Sequence, residues 1–132
     1  MLPVRVLVVG NTIGLQRRLF AALDREGYAV SIGAGGPPPA MTLARNCPDL
    51  LILEVGPALG RVESWRRAIA SFRSRRPLSV LAVAPDGLDQ DERTTLESIT
   101  DLGILLRPTS TREIVERLDE WYESETPIVE VN

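Results

Sequence analysis

Hydrophobic runs and helix-spaced apolar stripes alternate along this chain. Residues 4–9 form an almost continuous apolar run, interrupted only by Arg5; a strand covered on both faces reads this way, because neither side of it meets water. Leu15, Leu19, Ala22 and Leu23 then recur on one helical face, with Arg17, Arg18, Asp24 and Arg25 mostly off it, and Gly27 supplies the stop signal. The unit that results is a strand followed by a helix.

The same unit recurs to the end of the chain. Residues 28–32 make a second short strand, and the Gly- and Pro-rich tract 33–39 can be neither strand nor helix interior. A short helix is predicted over 40–46, and the most apolar strand over 50–55. Gly56, Pro57 and Gly60 then break the chain before a helix whose Trp65, Ala68, Ile69 and Phe72 share one face. A fourth strand occupies 78–84. After the turn at Pro85-Asp-Gly87, Asp89 with Glu92 three positions on has the form of a capping pair. Leu96 and Ile99 give that helix its apolar side. A short fifth strand covers 104–106, and Ser110 with Glu113 form a capping box ahead of a last helix lined by Ile114, Leu118, Trp121 and Tyr122.

Five strands alternating with five helices predict a parallel sheet with helices on both faces, because parallel neighbours need crossover connections and these are right-handed. The domain is assigned to residues 1–123. Residues 124–132, where Thr126-Pro127 discourages a helix and 128–131 mix apolar with acidic, are assigned to a C-terminal tail, either a linker or an extra edge segment.

Composition removes several chemistries. With 132 residues the chain suits one domain with its own apolar core. A formal charge of -3 gives no general drive toward nucleic acid or anionic lipid. All 15 basic residues are Arg, so P-loop and Schiff-base lysine chemistry are excluded. There is no His and a single Cys, Cys47, which rules out an internal disulfide, the common Cys/His zinc sites and the usual His-assisted nucleophiles. The apolar run near the start is too short for a signal peptide core or a membrane span, so a cytoplasmic protein is expected.

In open parallel sheets, ligands sit beyond the carboxyl ends of the strands. The informative positions are therefore Gly10 and Asn11, Glu54, residues 82–85, and Arg107. As a dinucleotide fingerprint, Gly10 lacks its companions: Thr12 and Leu15 stand where small residues are needed, and no acidic residue ends the second strand to hold a ribose. A looser turn using Gly10 and Gly14 survives as the alternative reading, a small-ligand or nucleotide-binding domain.

Several segments in order and at consistent spacing carry a different likeness: RVLVV at 5–9, LDREGYAV at 23–30, PDLLILEV at 48–55, PLSVLA at 77–82 and LLRP at 105–108, followed by a capped final helix. Over roughly residues 3–123 the chain resembles the receiver domains of bacterial two-component response regulators, the CheY-like family. That resemblance implies the flavodoxin-like (βα)5 doubly wound parallel sheet in strand order 2-1-3-4-5. It also implies a phosphorylation site: an acidic pair after the first strand and an Asp ending the third bind Mg2+, that Asp accepts phosphate, and a hydroxyl and a lysine hold the phosphoryl group. Carried over, these positions fall on Gly10, Asn11, Glu54, Ala82 and Arg107, and none is the family residue.

The departures have chemical weight. Mg2+ needs hard, preferably anionic oxygens in near-octahedral array, and Gly10 and Asn11 supply no charge. Glu54 holds its carboxylate one methylene farther out than Asp, which misplaces in-line attack. Ala82 has no hydroxyl. The expectation is a degenerate pseudo-receiver, not an enzyme, with no cofactor and no metal, acting through a protein partner or a homodimer. No membrane contact and no direct nucleic-acid contact by this domain are expected. A covalently linked output domain, such as that of a transcriptional regulator, is compatible with the tail.

An ion pair between Glu54 and Arg107 is one substitute for phosphate; a solvated Glu54 at a loop edge is the other reading, and the sequence leaves both open. By resemblance the interaction face is the fourth helix, fifth strand and fifth helix, with Arg93, Glu97, Asp101, Arg112, Glu116 and Trp121. Around the third helix Arg61, Arg66, Arg67, Arg73, Arg75 and Arg76 make a basic tract, while Asp86, Asp89, Asp91, Glu92, Glu97 and Asp101 make the next region acidic, a head-to-tail pairing or two solvated faces. Residues 37–39 read as a stiff entry to the second helix rather than a polyproline ligand. Trp65 and Trp121 read as core or dimer-face residues, and Cys47 as a structural thiol with Arg45 its one basic neighbour in sequence.

Overall fold

A computed structural model of the chain describes residues 3–10, 12–33, 37–56, 62–107 and 109–125. In chain order the elements are β1 (Arg5–Val9), α1 (Ile13–Arg25), β2 (Ala29–Gly33), α2 (Pro39–Asn46), β3 (Leu50–Glu54), α3 (Val62–Arg73), β4 (Ser79–Ala84), α4 (Gln90–Ile99), β5 (Ile104–Leu106) and α5 (Thr111–Glu125). All strand pairs are parallel and the sheet order is β2-β1-β3-β4-β5. The rhythm of the chain predicts the parallel sheet with helices on both faces, and the receiver resemblance implies this flavodoxin-like strand order.

Strand alternation divides the core into two layers. Leu7, Val9, Leu51 and Leu53 point toward α2, α3 and α4, where they meet Leu43, Trp65, Ile69, Phe72 and Leu96. Val6, Val8, Leu50 and Ile52 point toward α1 and α5, onto Leu15, Leu19, Leu23, Ile114 and Leu118. The central strand β3 is buried along its whole length, which explains its uninterrupted apolar sequence.

The helix ends follow local chemistry. Asp89 accepts the Glu92 N–H at 2.8 Å, and Ser110 Oγ accepts the Glu113 N–H at 3.1 Å, so both predicted caps form. The cap contact with the Glu92 backbone holds the Asp89 carboxyl below its usual range, while the side-chain contact with Asp89 raises that of Glu92. After α1, Gly27 takes a positive φ of 95°. Cys47 caps α2 in the left-handed region with φ 43°, a conformation unusual for a side chain with a β-carbon. α5 continues to Glu125, so Ser124 belongs to the last helix and not to a tail. Residues 126–132 lie outside the described residues.

Arg73 ties three elements together at the foot of the sheet. Its guanidinium donates to the Leu78 carbonyl at 3.0 Å, the Ile99 carbonyl at 2.9 Å and Asp101 Oδ1 at 2.6 Å, and the same Asp101 oxygen accepts the Val80 N–H at 3.0 Å. Loss of a charged donor serving several acceptors exceeds the cost of an exposed pair, so Arg73→Ala is expected to destabilise by about 1.5–3 kcal/mol. Arg93→Ala, which removes only an exposed i,i+4 pair with Glu97, should cost less than about 0.5 kcal/mol. Urea denaturation of the two variants checks the ranking.

Candidate functional site

The carboxyl ends of β1, β3, β4 and β5 form one rim, and register places the candidate residues along it. Glu54 ends β3 beside Val83, and Arg107 follows β5, with its N–H bonded to the Ala84 carbonyl at 2.8 Å. Ala82 does not reach the rim. It pairs with Leu53 and Ile104 and is fully buried inside the sheet, two residues short of the strand end, which is Ala84. The rim position at the end of β4 is therefore Ala84 rather than Ala82; both lack a hydroxyl. Asn11 lies outside the described residues.

Glu54 is not solvated. Only 2% of its side chain is exposed, and the carboxylate folds back over Gly10. Its Oε1 accepts the Thr12 N–H at 2.9 Å, and its Oε2 accepts Arg107 Nη2 at 2.8 Å. Arg107 is 38% exposed and also approaches the Val55 carbonyl at 3.4 Å. Thr12 is the residue that precedes α1, so the carboxylate also sits at the positive end of that helix. A guanidinium and a helix amide together stabilise the buried carboxylate, which would otherwise be costly to desolvate.

Gly10 is required by this arrangement for space. A β-carbon there would overlap Glu54 Oε1 and lie 2.5 Å from Glu54 Cβ. Its carbonyl accepts Gln16 Nε2 at 2.8 Å, which fixes the turn against the first helix. Sequence reasoning identified Gly10 as a lost acidic position; that it is also the hole filled by Glu54 needed coordinates.

A receiver fold implies Mg2+, and these residues do not fit it. Gly10 has no side chain, and both oxygens of Glu54 already accept hydrogen bonds from protein donors. Among the described residues no group of three or more Asp, Glu, Cys or His side chains is arranged to hold a metal. In the turn between Gly10 and Gly14, the Thr12 amide is taken up by the Glu54 carboxylate and is not open to a phosphate. A cleft of about 540 Å³ lies at the opposite end of the sheet, between Val4, Glu26, Tyr28, Asp119 and Tyr122. There Tyr28 donates to Asp119 at 3.1 Å, and burial, with Asp119 adding to it, raises the phenol well above its ordinary range.

The six residues expected on the α4, β5 and α5 face divide. Arg93 with Glu97 and Arg112 with Glu116 form exposed pairs at 3.1 Å. Asp101 is bound to Arg73 at the foot of the sheet, and Trp121 is partly buried, its indole N–H donating to Ser79 at 2.8 Å. The basic tract also contracts: Arg66 is paired with Glu63, Arg73 is structural, and Arg61 lies outside the described residues. Cys47 is better surrounded by charge than its sequence neighbours indicate, because a cleft of about 230 Å³ joins it to Phe72, Arg75 and Arg76.

No family model matches the sequence, and no curated protein matches it. Solved structures do. The receiver domain of the TMAO respiratory system response regulator TorR superposes with a TM-score of 0.72 at 22% identity, over 94% of this chain and 100% of that one. A response regulator protein from Burkholderia multivorans gives 0.71 at 20% identity, over 96% and 98%. NtrX from Brucella abortus gives 0.68 at 12% identity over 93% of this chain but only 27% of its own length. At these identities the likeness establishes the receiver fold.

The contact between Gly10 and Glu54 makes a directional prediction. Gly10→Ala should destabilise by about 1–3 kcal/mol through overpacking. In a Glu54→Ala background the same change should cost less than half as much, a coupling that a double-mutant cycle in denaturant reads directly.

Proposed function

We propose that the chain is a receiver-like regulatory domain of bacterial signal transduction that works through protein contact and without phosphorylation. The observation that supports this most is the engagement of Glu54 by Arg107 and the Thr12 amide at the position where the family carries its phosphoacceptor. Glu54 presents a fixed negative charge to the residue that replaces the phosphate-reading lysine, so one signalling state is held by the sequence itself. The domain has no catalytic role in this reading and uses no cofactor.

The partner face expected by resemblance keeps some support. Leu106 on β5 is 41% exposed, and the Arg93–Glu97 and Arg112–Glu116 pairs lie on the exposed surfaces of α4 and α5. The partial coverage of NtrX is compatible with a receiver-like unit joined covalently to an output domain, including that of a transcriptional regulator. Among the described residues no helix is long and apolar enough to cross a membrane. The cytoplasmic location in this reading follows the likeness to receiver domains.

Titration with Mg2+ and beryllofluoride is expected to leave the amide spectrum of β4 and β5 and the melting temperature unchanged; Mg2+-dependent modification of Glu54 by acetyl phosphate would overturn the reading. Arg107→Glu should lower stability by about 1–3 kcal/mol, because it leaves a buried carboxylate facing a like charge. If it changes neither stability nor partner binding, the fixed-state idea fails.

A further inference from the structure

The β2 edge of the sheet is unusually unprotected. β2 pairs only with β1, and its sequence Ala29-Val-Ser-Ile-Gly33 contains none of the charged residues or prolines that normally blunt an edge strand. The Ala29 N–H bonds to the Val4 carbonyl, so ladder alternation turns the N–H and C=O groups of Val30 and Ile32 away from β1. Ile32 stands in register with Val8 and so on the α1 side of the sheet, and it is 43% exposed.

Beside this edge α1 presents a self-complementary stripe. Ile13, Arg17, Phe20 and Asp24, spaced by four, three and four positions, share one helical face, and all four are exposed. The stripe lies about 130° round the helix from the buried Leu15, Leu19 and Leu23, and the right-handed β1-α1-β2 crossover turns that flank toward β2. Neither Arg17 nor Asp24 has an ion-pair partner among the described residues.

We infer that β2 and α1 form an interface with a second copy of this chain, related by a two-fold axis at Ser31. Antiparallel pairing centred there lets Val30 exchange both backbone hydrogen bonds with Ile32 of the second copy, and the reverse, closing the free edge on itself. Directly opposed residues then face the same side, so the two α1 helices lie antiparallel across the seam. With strands about 4.8 Å apart, helices each seated over a β1–β2 pair come about 10 Å from one another, the ordinary packing distance. Phe20 meets Phe20 of the second copy, and Arg17 meets the copy's Asp24. On the other face, Met41 and Arg45 of α2 flank the same seam, and the antiparallel arrangement keeps the two Arg45 side chains, near the strand feet, apart.

As the partner in contact-mediated signalling, the second copy rests on the proposed function above; the surface itself does not. Sedimentation velocity of the full chain up to about 100 µM is expected to show a dimer. Phe20→Glu should give a monomer whose melting temperature matches that of the wild type at dilutions where the wild type is itself monomeric. Arg17→Asp should weaken the dimer by about tenfold or more, and Arg17→Asp combined with Asp24→Arg should restore it. The Val30 and Ile32 amides should exchange slowly, in a concentration-dependent way. A monomer throughout that range overturns the inference, as does a dimer insensitive to Phe20→Glu but lost in Leu106→Glu. Concentration-independent protection of Val30 and Ile32 overturns it too, since the edge would then be covered within one chain. None of these results bears on the beryllofluoride experiment, so the two readings fail separately.

Discussion

The arrangement at the rim depends on one buried carboxylate. Glu54 leaves β3 at the centre of the sheet, where water has little access, and a charge placed there must find donors within the protein. It finds a guanidinium from the strand-β5 end and an amide at the start of α1, 53 and 42 positions away in the chain. Those two contacts clamp the first, third and fifth strands at their functional ends, and they use the oxygens that a divalent cation would need.

Gly10 and Glu54 are best read as one feature. A side chain at position 10 and a Glu folded back from position 54 compete for the same volume. In the receiver arrangement that volume holds acidic groups around a metal; here it holds the longer carboxylate. With one methylene more than Asp, Glu54 folds its carboxylate back over Gly10 to the Thr12 amide.

The fold was largely legible in the residue pattern. Buried parallel strands read as apolar runs, amphipathic helices as 3.6-residue stripes, and the Asp89–Glu92 and Ser110–Glu113 pairs as helix starts, because each signal depends on residues close in sequence. Positions that depend on register were less legible. Ala82 sits two residues inside the strand whose end is Ala84, and Trp121 and Asp101 turn to Ser79 and Arg73, residues no local spacing could nominate. Cys47 acquired two arginines from the turn after α3 in the same way.

The sequence by itself determined the layer order and the absence of lysine and histidine chemistry, since these follow from residue identity and short-range period. Only the tertiary structure decided that Glu54 is clasped rather than solvated, that Gly10 makes room for it, and that the stripe on α1 borders a bare strand. The physical reason is that sheet register and crossover hand bring distant positions within a few ångströms of one another, and no local pattern encodes which side chains will meet there.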